Sequence, residues 1–519
     1  MRINGSAGKR IAINTTVAYS RSIIGMLLVL FSNRWALASL GVEDFGIYNV
    51  IGTIMVIIVF LNTVLANSDS RFFSLAIGNG DNIELNKLFN VFFFLHIIIP
   101  TVVIIIGYFI GLWAIYNVLV IPSDRIDSAI VVFRIVMVSS FLSMITVPFS
   151  TLLIAYQDII EYAIIELLQS VLIFLSAFLL RFSFITDDKL ILYTILMSSS
   201  YIVTYVLMIV VARTKYSCTK IQVSFLWDKS RSAEILNYSF WNMLGEIGHL
   251  VRTQGIAVVV NLLWGPKGNA ALGIANQVSV QASNLTNAMA TSISPEIYRR
   301  VGEGDKSAIK LSNYASRIGL LLIFILGVPL IFNIDSILEL WLINVPESTA
   351  GLCVCFIIMY MIEKLSLGQL FYLRAKGAVT VVNILIFVFY SMSVVFPYCG
   401  LSQLGIVCIG ISCVISMTLS RLSVIYCVKK YVDYEMRPYY WNTILPASCL
   451  IIVVIICYLS GLGFYTSSIW ILLLDVFVLF VVALLVSFYS LFTGDERERI
   501  VKTLFDKIRV LYSRKDDFE

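Results

Sequence analysis

Runs of about twenty apolar residues recur along this chain, separated only by short polar breaks. A helix needs about 20 residues to cross the hydrocarbon core of a bilayer, and there every backbone polar group must be satisfied internally. Fourteen such runs lie near residues 11–33, 45–67, 88–112, 129–153, 159–181, 189–212, 234–262, 269–292, 312–334, 350–373, 378–397, 403–428, 441–461 and 466–493. They predict an all-α polytopic membrane protein of about fourteen transmembrane helices. Of its 519 residues 59% are hydrophobic and 13% charged, whereas soluble chains carry about 25% charge. That balance excludes a water-soluble multidomain enzyme, a disordered chain and a nucleic-acid binder. The loops are too short for an extramembrane catalytic domain.

The formal charge of +5 is spread over these loops rather than gathered in one patch. With the N-terminus inside, 28 of the 37 Lys and Arg residues fall on the cytoplasmic side, as the positive-inside rule requires. Arg34, Arg125, Arg181, Lys189 and Lys267 fall outside, and Arg21, Arg134, Arg252 and Lys364 within spans. The loop around Asp158 and Glu161 should be cytoplasmic yet has no basic residue. Both termini are therefore expected inside. Arg2, Lys9 and Arg10 precede a first span read as retained rather than cleaved. The tail, 494–519, sets Ile500, Leu504, Ile508 and Leu511 at helical spacing among Arg497, Arg499, Lys502, Lys507 and Arg509. That suits an amphipathic helix on an anionic leaflet or an ordinary charged helix. Most of the nine cysteines sit in apolar runs, no CxxC occurs, and His96 and His249 are the only histidines. No metal site and no cofactor are expected.

An internal repeat is legible. Gly46-Ile47-Tyr48-Asn49 opens the second span and Gly273-Ile274-Ala275-Asn276 the eighth. Gly78-Asn79-Gly80-Asp81 follows the second span and Gly302-Glu303-Gly304-Asp305 the eighth. The offsets are 227 and 224 residues. Six spans per repeat is an even number, so both copies face the same way, related by a pseudo-two-fold along the membrane normal. Transporters built so place the substrate between the two bundles. The predicted domains are a first six-helix bundle (1–230), a second (231–438), two appended helices (439–493) and the tail.

Leu40-Gly41-Val42-Glu43-Asp44-Phe45-Gly46-Ile47-Tyr48-Asn49, and Arg71-Phe72-Phe73 leading to Gly78-Asn79-Gly80-Asp81, resemble segments of bacterial polysaccharide-biosynthesis membrane proteins. Trp241-Asn242, Gln254-Gly255, Gly265-Pro266, Gly273-Ile274-Ala275, Ser294-Pro295-Glu296-Ile297 and Leu340-Trp341-Leu342 before Val345-Pro346-Glu347 follow in the expected order. The chain thus resembles the Wzx-type O-antigen flippases of the multidrug/oligosaccharidyl-lipid/polysaccharide exporter superfamily, from about residue 9 to 440. The resemblance implies a V-shaped flippase of the bacterial inner membrane working by alternating access. Its cargo would be an undecaprenyl-pyrophosphate-linked repeat unit moved from the cytoplasmic to the periplasmic leaflet. A proton or sodium ion would drive it, and a polymerase and glycosyltransferases would share its pathway.

Charged residues at the bilayer centre cost about 2.5–3.5 kcal/mol on insertion scales and are functional candidates by default. Arg21 shares one small or polar face of the first span with Asn14, Ala18 and Gly25; it suits a pyrophosphate or a structural ion pair. In the seventh span Asn242, Glu246 and His249 share a face, and Arg252 lies a turn further on. Glu246 and His249 could share a coupling proton, or Glu246 could simply neutralise His249 or Arg252. Arg252 is the second pyrophosphate candidate, and a basic residue near it is what the resemblance implies. The eighth span carries Gln277, Gln281, Asn284, Ala288 and Thr291 in one stripe, with Asn276, Ser283 and Asn287 beside it. Such amides match sugar hydroxyls, although they also tie helices together; Asn242, Asn276, Gln277, Gln281, Asn284 and Asn287 form the sugar-contacting set. Glu166 with Gln169, Glu363 with Lys364, and Asp475 are weaker candidates. Pro100, Pro148, Pro329 and Pro397 fall within or at the ends of spans.

Three rival functions stand beside the flippase. A multidrug antiporter of the same superfamily would favour acidic residues for organic cations. A polysaccharide polymerase would carry a large periplasmic loop. An acyltransferase would need a catalytic histidine, and His249 is the central one.

Overall fold

Where apolar runs leave the backbone no partner but itself, the chain is helical, and no strand occurs among the described residues. The computed structural model describes residues 5–54, 56–119, 121–182, 188–342, 345–398, 405–461, 463, 465–466, 468–500 and 502. Its helices are α1 (Gly5–Ile54), α2 (Val56–Asn79), α3 (Asn82–Asn117), α4 (Ile126–Ala155), α5 (Ile159–Phe182) and α6 (Lys189–Lys215). They continue with α7 (Lys229–Leu250), α8 (Ile256–Gly302), α9 (Ser307–Phe332), α10 (Ile334–Trp341), α11 (Thr349–Lys364) and α12 (Leu367–Ala375). The last are α13 (Thr380–Val395), α14 (Val407–Tyr431), α15 (Met436–Tyr439), α16 (Leu445–Leu459) and α17 (Ile469–Leu491). The chain is an all-α polytopic membrane protein.

Among the described residues every expected span is met by helix, but not all are equally apolar. Among the described residues ten helices are long and apolar enough to cross a membrane, and an eleventh if α11 and α12, bent by 45°, form one span. The expected second, eighth and eleventh spans are not among them. The second is divided between the end of α1 and α2, which carries Asn62, Asp69 and Arg71. The eighth is the amide-rich part of α8, and α13 has only 16 residues.

Two compact units account for the chain: residues 1–246 with 288–306, and 247–287 with 307–519. In the first, α1 packs on α5, α5 on α6, α6 on α4, and α4 on α2 and α3. Asn14 donates to the Gln157 carbonyl at 3.0 Å, and Gln157 Nε2 donates to the Ser292 carbonyl at 3.0 Å. Lys215 closes the loop that lacked a base, bonding Asp158 at 2.8 Å and pairing with Glu161. Arg125 pairs with Asp44 and, at 3.3 Å, with Asp188, which caps α6 through the N–H groups of Leu190 and Ile191. The acid of the motif before the second span is thus a structural tie. In the second unit α9 packs on α11, α12 and α17, and α14 on α11 and α13.

The repeat is carried by backbone geometry. The helical runs break at Gly41 (φ 81°) and Gly265 (φ 64°), and the later turns at Gly80 (φ 70°) and Gly304 (φ 68°). Both pairs are 224 residues apart, so the Gly46–Gly273 match lies three residues out of register. At each turn the Asp N–H closes back on the helix, Asp81 to Ala76 and Asp305 to Arg300, the pattern of a helix ended by a left-handed glycine. Asp81 then caps α3, accepting from Ile83 and Glu84.

Gly78 and Gly302 serve close approach. A Cβ on Gly78 would stand 2.0 Å from the Arg299 carbonyl oxygen, and one on Gly302 2.4 Å from that of Leu75. Leu75 and Arg299 are themselves 224 residues apart. Each repeat-equivalent residue therefore makes the other's contact, the isologous arrangement of a local two-fold between two helix ends.

The helix end after α17 is fastened to α9. Arg317, 5% exposed, donates to Glu496 at 2.6 and 3.1 Å and stacks 4.6 Å from the Tyr314 ring. Glu496 also accepts from the Thr493 N–H at 2.9 Å, a capping-box contact. Burial alone would raise the Glu496 carboxyl; the bonds from Arg317 and Thr493 overcome it and hold it below its ordinary value. A depressed carboxylate stabilises above its unfolded pKa and loses that contribution as pH falls through the folded one. Arg317→Ala should cost about 3–5 kcal/mol, the range for breaking a buried pair, read as a lower Tm in detergent. Acid below the ordinary carboxylate range should release the tail to protease in the unmutated protein and change little in the variant. Of the expected amphipathic tail helix, residues 501 and 503–519 lie outside the described residues.

Candidate functional site

Three buried cations gather in the second unit. Between α7 and α8 the helix widens into a π-helical turn, Val251–Gly255, a feature common at functional positions. Gly248 and Gly255 let α13 approach this stretch, since a Cβ on Gly248 would lie 2.7 Å from Phe387 and one on Gly255 3.1 Å from Val394. The turn aims Arg252 inward. Its guanidinium lies 4.8 Å from the Tyr390 ring, Nη1 donates to Met359 Sδ, and Nε has no hydrogen-bond partner among the described residues. From α14, Arg421 donates to the same tyrosine's hydroxyl at 2.9 Å. From the end of α11, Lys364 donates to Glu363 at 2.9 Å.

The charges do not balance. Arg252, Lys364 and Arg421 are at most 5% exposed, and all three bear on one carboxylate, that of Glu363. Lys364 occupies the last turn of α11, where the helix dipole favours a cation. Dipole and tyrosine π-face ease but do not cancel the cost of charges held away from water. Such a cluster favours an anion, and it disfavours an organic cation for the same reason.

The α8 stripe is open. Asn276, Gln277, Gln281, Asn284, Asn287 and Thr291 are all exposed, while Ser279, Ser283 and Thr286 on the opposite face are buried. Asn284 donates to Gln281 at 2.9 Å. Amides used to tie helices together would be buried; these are open to water or a ligand.

The remaining candidates are placed differently. Arg21 forms an ion pair with Glu166 of α5, whose other oxygen accepts from Tyr162 at 2.6 Å. The pair is about one-quarter exposed, so Arg21 meets any ligand with a resident acid in place. Asn242 is buried, and Glu246 is partly exposed; both belong to the first unit. His249 is exposed in the second, its ring 6.4 Å from Tyr390. Sequence reasoning missed Arg421 and Tyr390. Arg421 lies three turns from the end of α14 and reads as part of its basic cytoplasmic flank; Tyr390 looks like one more aromatic in an apolar run. Among the described residues no cluster of His, Cys, Asp and Glu suits a metal.

Solved structures share this fold. The chain is similar to a MOP superfamily transporter from Pyrococcus furiosus Vc1 (DSM3638), for which a binding pocket of reverse polarity is described. The TM-score is 0.70 at 15% identity, over 82% of this chain and 95% of that one. It is similar to MATE in the bent conformation, with a TM-score of 0.71 at 15% identity over 88% and 97%. An outward-facing multidrug resistance MATE family transporter of the MOP superfamily gives 0.69 at 16% identity over 82% and 95%. No family model and no curated protein matches the chain.

Proposed function

We propose that the chain is a flippase for a polyprenyl-pyrophosphate-linked oligosaccharide, carrying it from the cytoplasmic to the periplasmic leaflet of a bacterial inner membrane by alternating access. The observation that carries this reading is the charge excess around Glu363. A pyrophosphate is the part of such a lipid common to every glycan, and Arg252, Lys364 and Arg421 match its charge, with Arg252 and Arg421 able to offer paired donors. Glu363 is then the resident counter-ion that the cargo displaces, as Glu166 is for Arg21. Asn276, Gln277, Gln281, Asn284 and Asn287 supply sugar contacts, with Asn242 reached only when the helices rearrange. Glu246 and His249 are candidates for a coupling proton or sodium ion. A polymerase and glycosyltransferases would consume and supply the cargo.

The fold supports a second reading, a multidrug antiporter, because a multidrug resistance transporter shares it. The cluster speaks for an anionic cargo. Proteoliposomes holding a synthetic polyprenyl-pyrophosphate trisaccharide decide between them. The glycan should move to the leaflet open to an added glycosidase only when the protein is present, and inorganic pyrophosphate should compete. Movement of ethidium with none of the glycan lipid would establish the antiporter instead. Orientation is tested separately: a reporter after Lys229 should be cytoplasmic and one at Lys267 periplasmic, and exchanged results would reverse the proposed direction.

A further inference from the structure

The pair Asp69–His96 has no part in anything above. Asp69 lies on α2 and His96 on α3, and both side chains are 0% exposed. His96 Nε2 faces both oxygens of the Asp69 carboxylate, 3.1 Å from Oδ2 and in hydrogen-bond geometry with Oδ1 at 3.4 Å, and its Nδ1 stands 2.8 Å from the Met144 carbonyl of α4. That carbonyl is open for a reason written in the sequence. Its helical donor would be the N–H of residue 148, which is proline. His96 in turn stands four residues before Pro100, so its own carbonyl has lost a helical donor in the same way. The proline-interrupted stretches of α3 and α4 meet at one imidazole, and α2 reaches it through one carboxylate.

The geometry fixes where protons must be. A carbonyl only accepts, so Nδ1 carries hydrogen. In a neutral ring Nε2 is then a bare lone pair aimed at a carboxylate oxygen. Two acceptors at that distance repel unless a proton lies between them. The pair therefore holds one proton, whether written as imidazolium and carboxylate or as imidazole and carboxylic acid. Among the described residues His96 is the ionisable group that acts on the Asp69 carboxylate. The charged residues of the neighbouring stretches are engaged elsewhere: Arg71 of α2 on Phe72 and Tyr238, Lys87 of α3 on Phe225, Arg134 of α4 at the Tyr108 hydroxyl, and Arg21 of α1 on Glu166.

We infer that Asp69 and His96 form a proton-binding site whose occupancy fastens α2 to the proline-interrupted stretches of α3 and α4. On release, the shared hydrogen passes to water, and a bare carboxylate is left facing a lone pair in a dry interior. The carboxylate is tolerated only once water reaches it, so proton loss and withdrawal of α2 from His96 are one event. That this event drives transport rests on the flippase reading; the proton site itself does not. It also differs from Glu246 and His249 in being wholly sealed.

Two histidines make the test direct. Protein labelled with 15N in histidine alone and held in lipid nanodiscs gives two pairs of imidazole signals, and His249→Asn leaves one pair. The His96 signals should show a protonated Nδ1 and a shared proton at Nε2. Spin labels at Asn79 of α2 and Val138 of α4 should separate at the pH where that shared proton is lost. In Asp69→Asn the amide donates to Nε2 and imitates the occupied site, so the ring should stay neutral and the label distance should cease to respond to pH. A His96 that titrates like a free imidazole with no change in distance would overturn the proposal. So would an Asp69→Asn protein whose labels move with pH as before. Neither measurement contains a cargo, so failure of the flippase reading leaves both outcomes readable.

Discussion

Arg252→Gln should lower export by at least about thirtyfold while leaving the protein abundant in the membrane. Truncating one partner of a buried hydrogen-bonded charge pair costs 2–5 kcal/mol or more, and about 2 kcal/mol is already roughly thirtyfold. Abundance should hold because the substitution removes one of three buried cations that share one carboxylate, relieving repulsion rather than stranding a charge. Arg252→Lys should recover part of the loss, since it keeps the charge but not the planar fork over Tyr390. Glu363→Gln should act in the opposite direction on binding. With the resident counter-ion gone, inorganic pyrophosphate should raise Tm more than it does in the unmutated protein, by the linkage between ligand binding and stability. Proteoliposome flux and thermal unfolding with and without pyrophosphate provide both readings. Unchanged flux in Arg252→Gln, or no pyrophosphate effect on Tm in either protein, would remove the cluster from the cargo site.

The line between what the sequence foretold and what it did not follows from what periodicity encodes. Spacing reports which residues share a face, so Gln277, Gln281 and Asn284 are legible as a stripe, and the structure finds that stripe exposed. Turn chemistry is equally local: Gly80 with Asp81 and Gly304 with Asp305 announce two helix ends in matching places. Partners across helices are not local. Arg21 and Glu166 each stand out alone as a charge in a span, yet nothing in one span says that the other carries its counter-ion. Asp69 and His96 are 27 residues apart, on helices whose relative rotation no pattern specifies. Arg421 was hidden by its nearness to Lys429 and Lys430, which make it look like the flank of a span rather than its interior. The apolar count also overstates uniformity. The segments that fall short as membrane helices include α2 and the amide-bearing part of α8, where polar groups are concentrated.

The same distinction between face and partner separates anchoring from choice of glycan. Pyrophosphate and polyprenyl are shared by every cargo of the proposed class, so on that proposal Arg21, Arg252, Lys364 and Arg421 would contribute affinity that does not depend on the sugars. Choice requires groups whose hydrogen bonds are met by one pattern of hydroxyl and acetamido substituents and left unmet by another. Gln281 and Asn284 have that character: they are exposed, and Asn284 donates to Gln281 at 2.9 Å. A glycan that replaces this bond with two of its own gains, and one that breaks it without replacement loses about 0.5–1.5 kcal/mol, roughly two- to tenfold. Alanine at Gln281 or Asn284 should therefore reorder a panel of repeat units in export complementation, weakening the preferred ones and sparing or favouring poor ones. Arg21→Ala should depress the whole panel together. Because Arg21 holds Glu166, the Arg21→Ala, Glu166→Gln double variant tells stranded charge from lost cargo contact: only a structural role is restored by it. If the amide variants lowered every glycan by one common factor, α8 would hold its exposed amides for hydration alone, and selectivity would have to reside elsewhere.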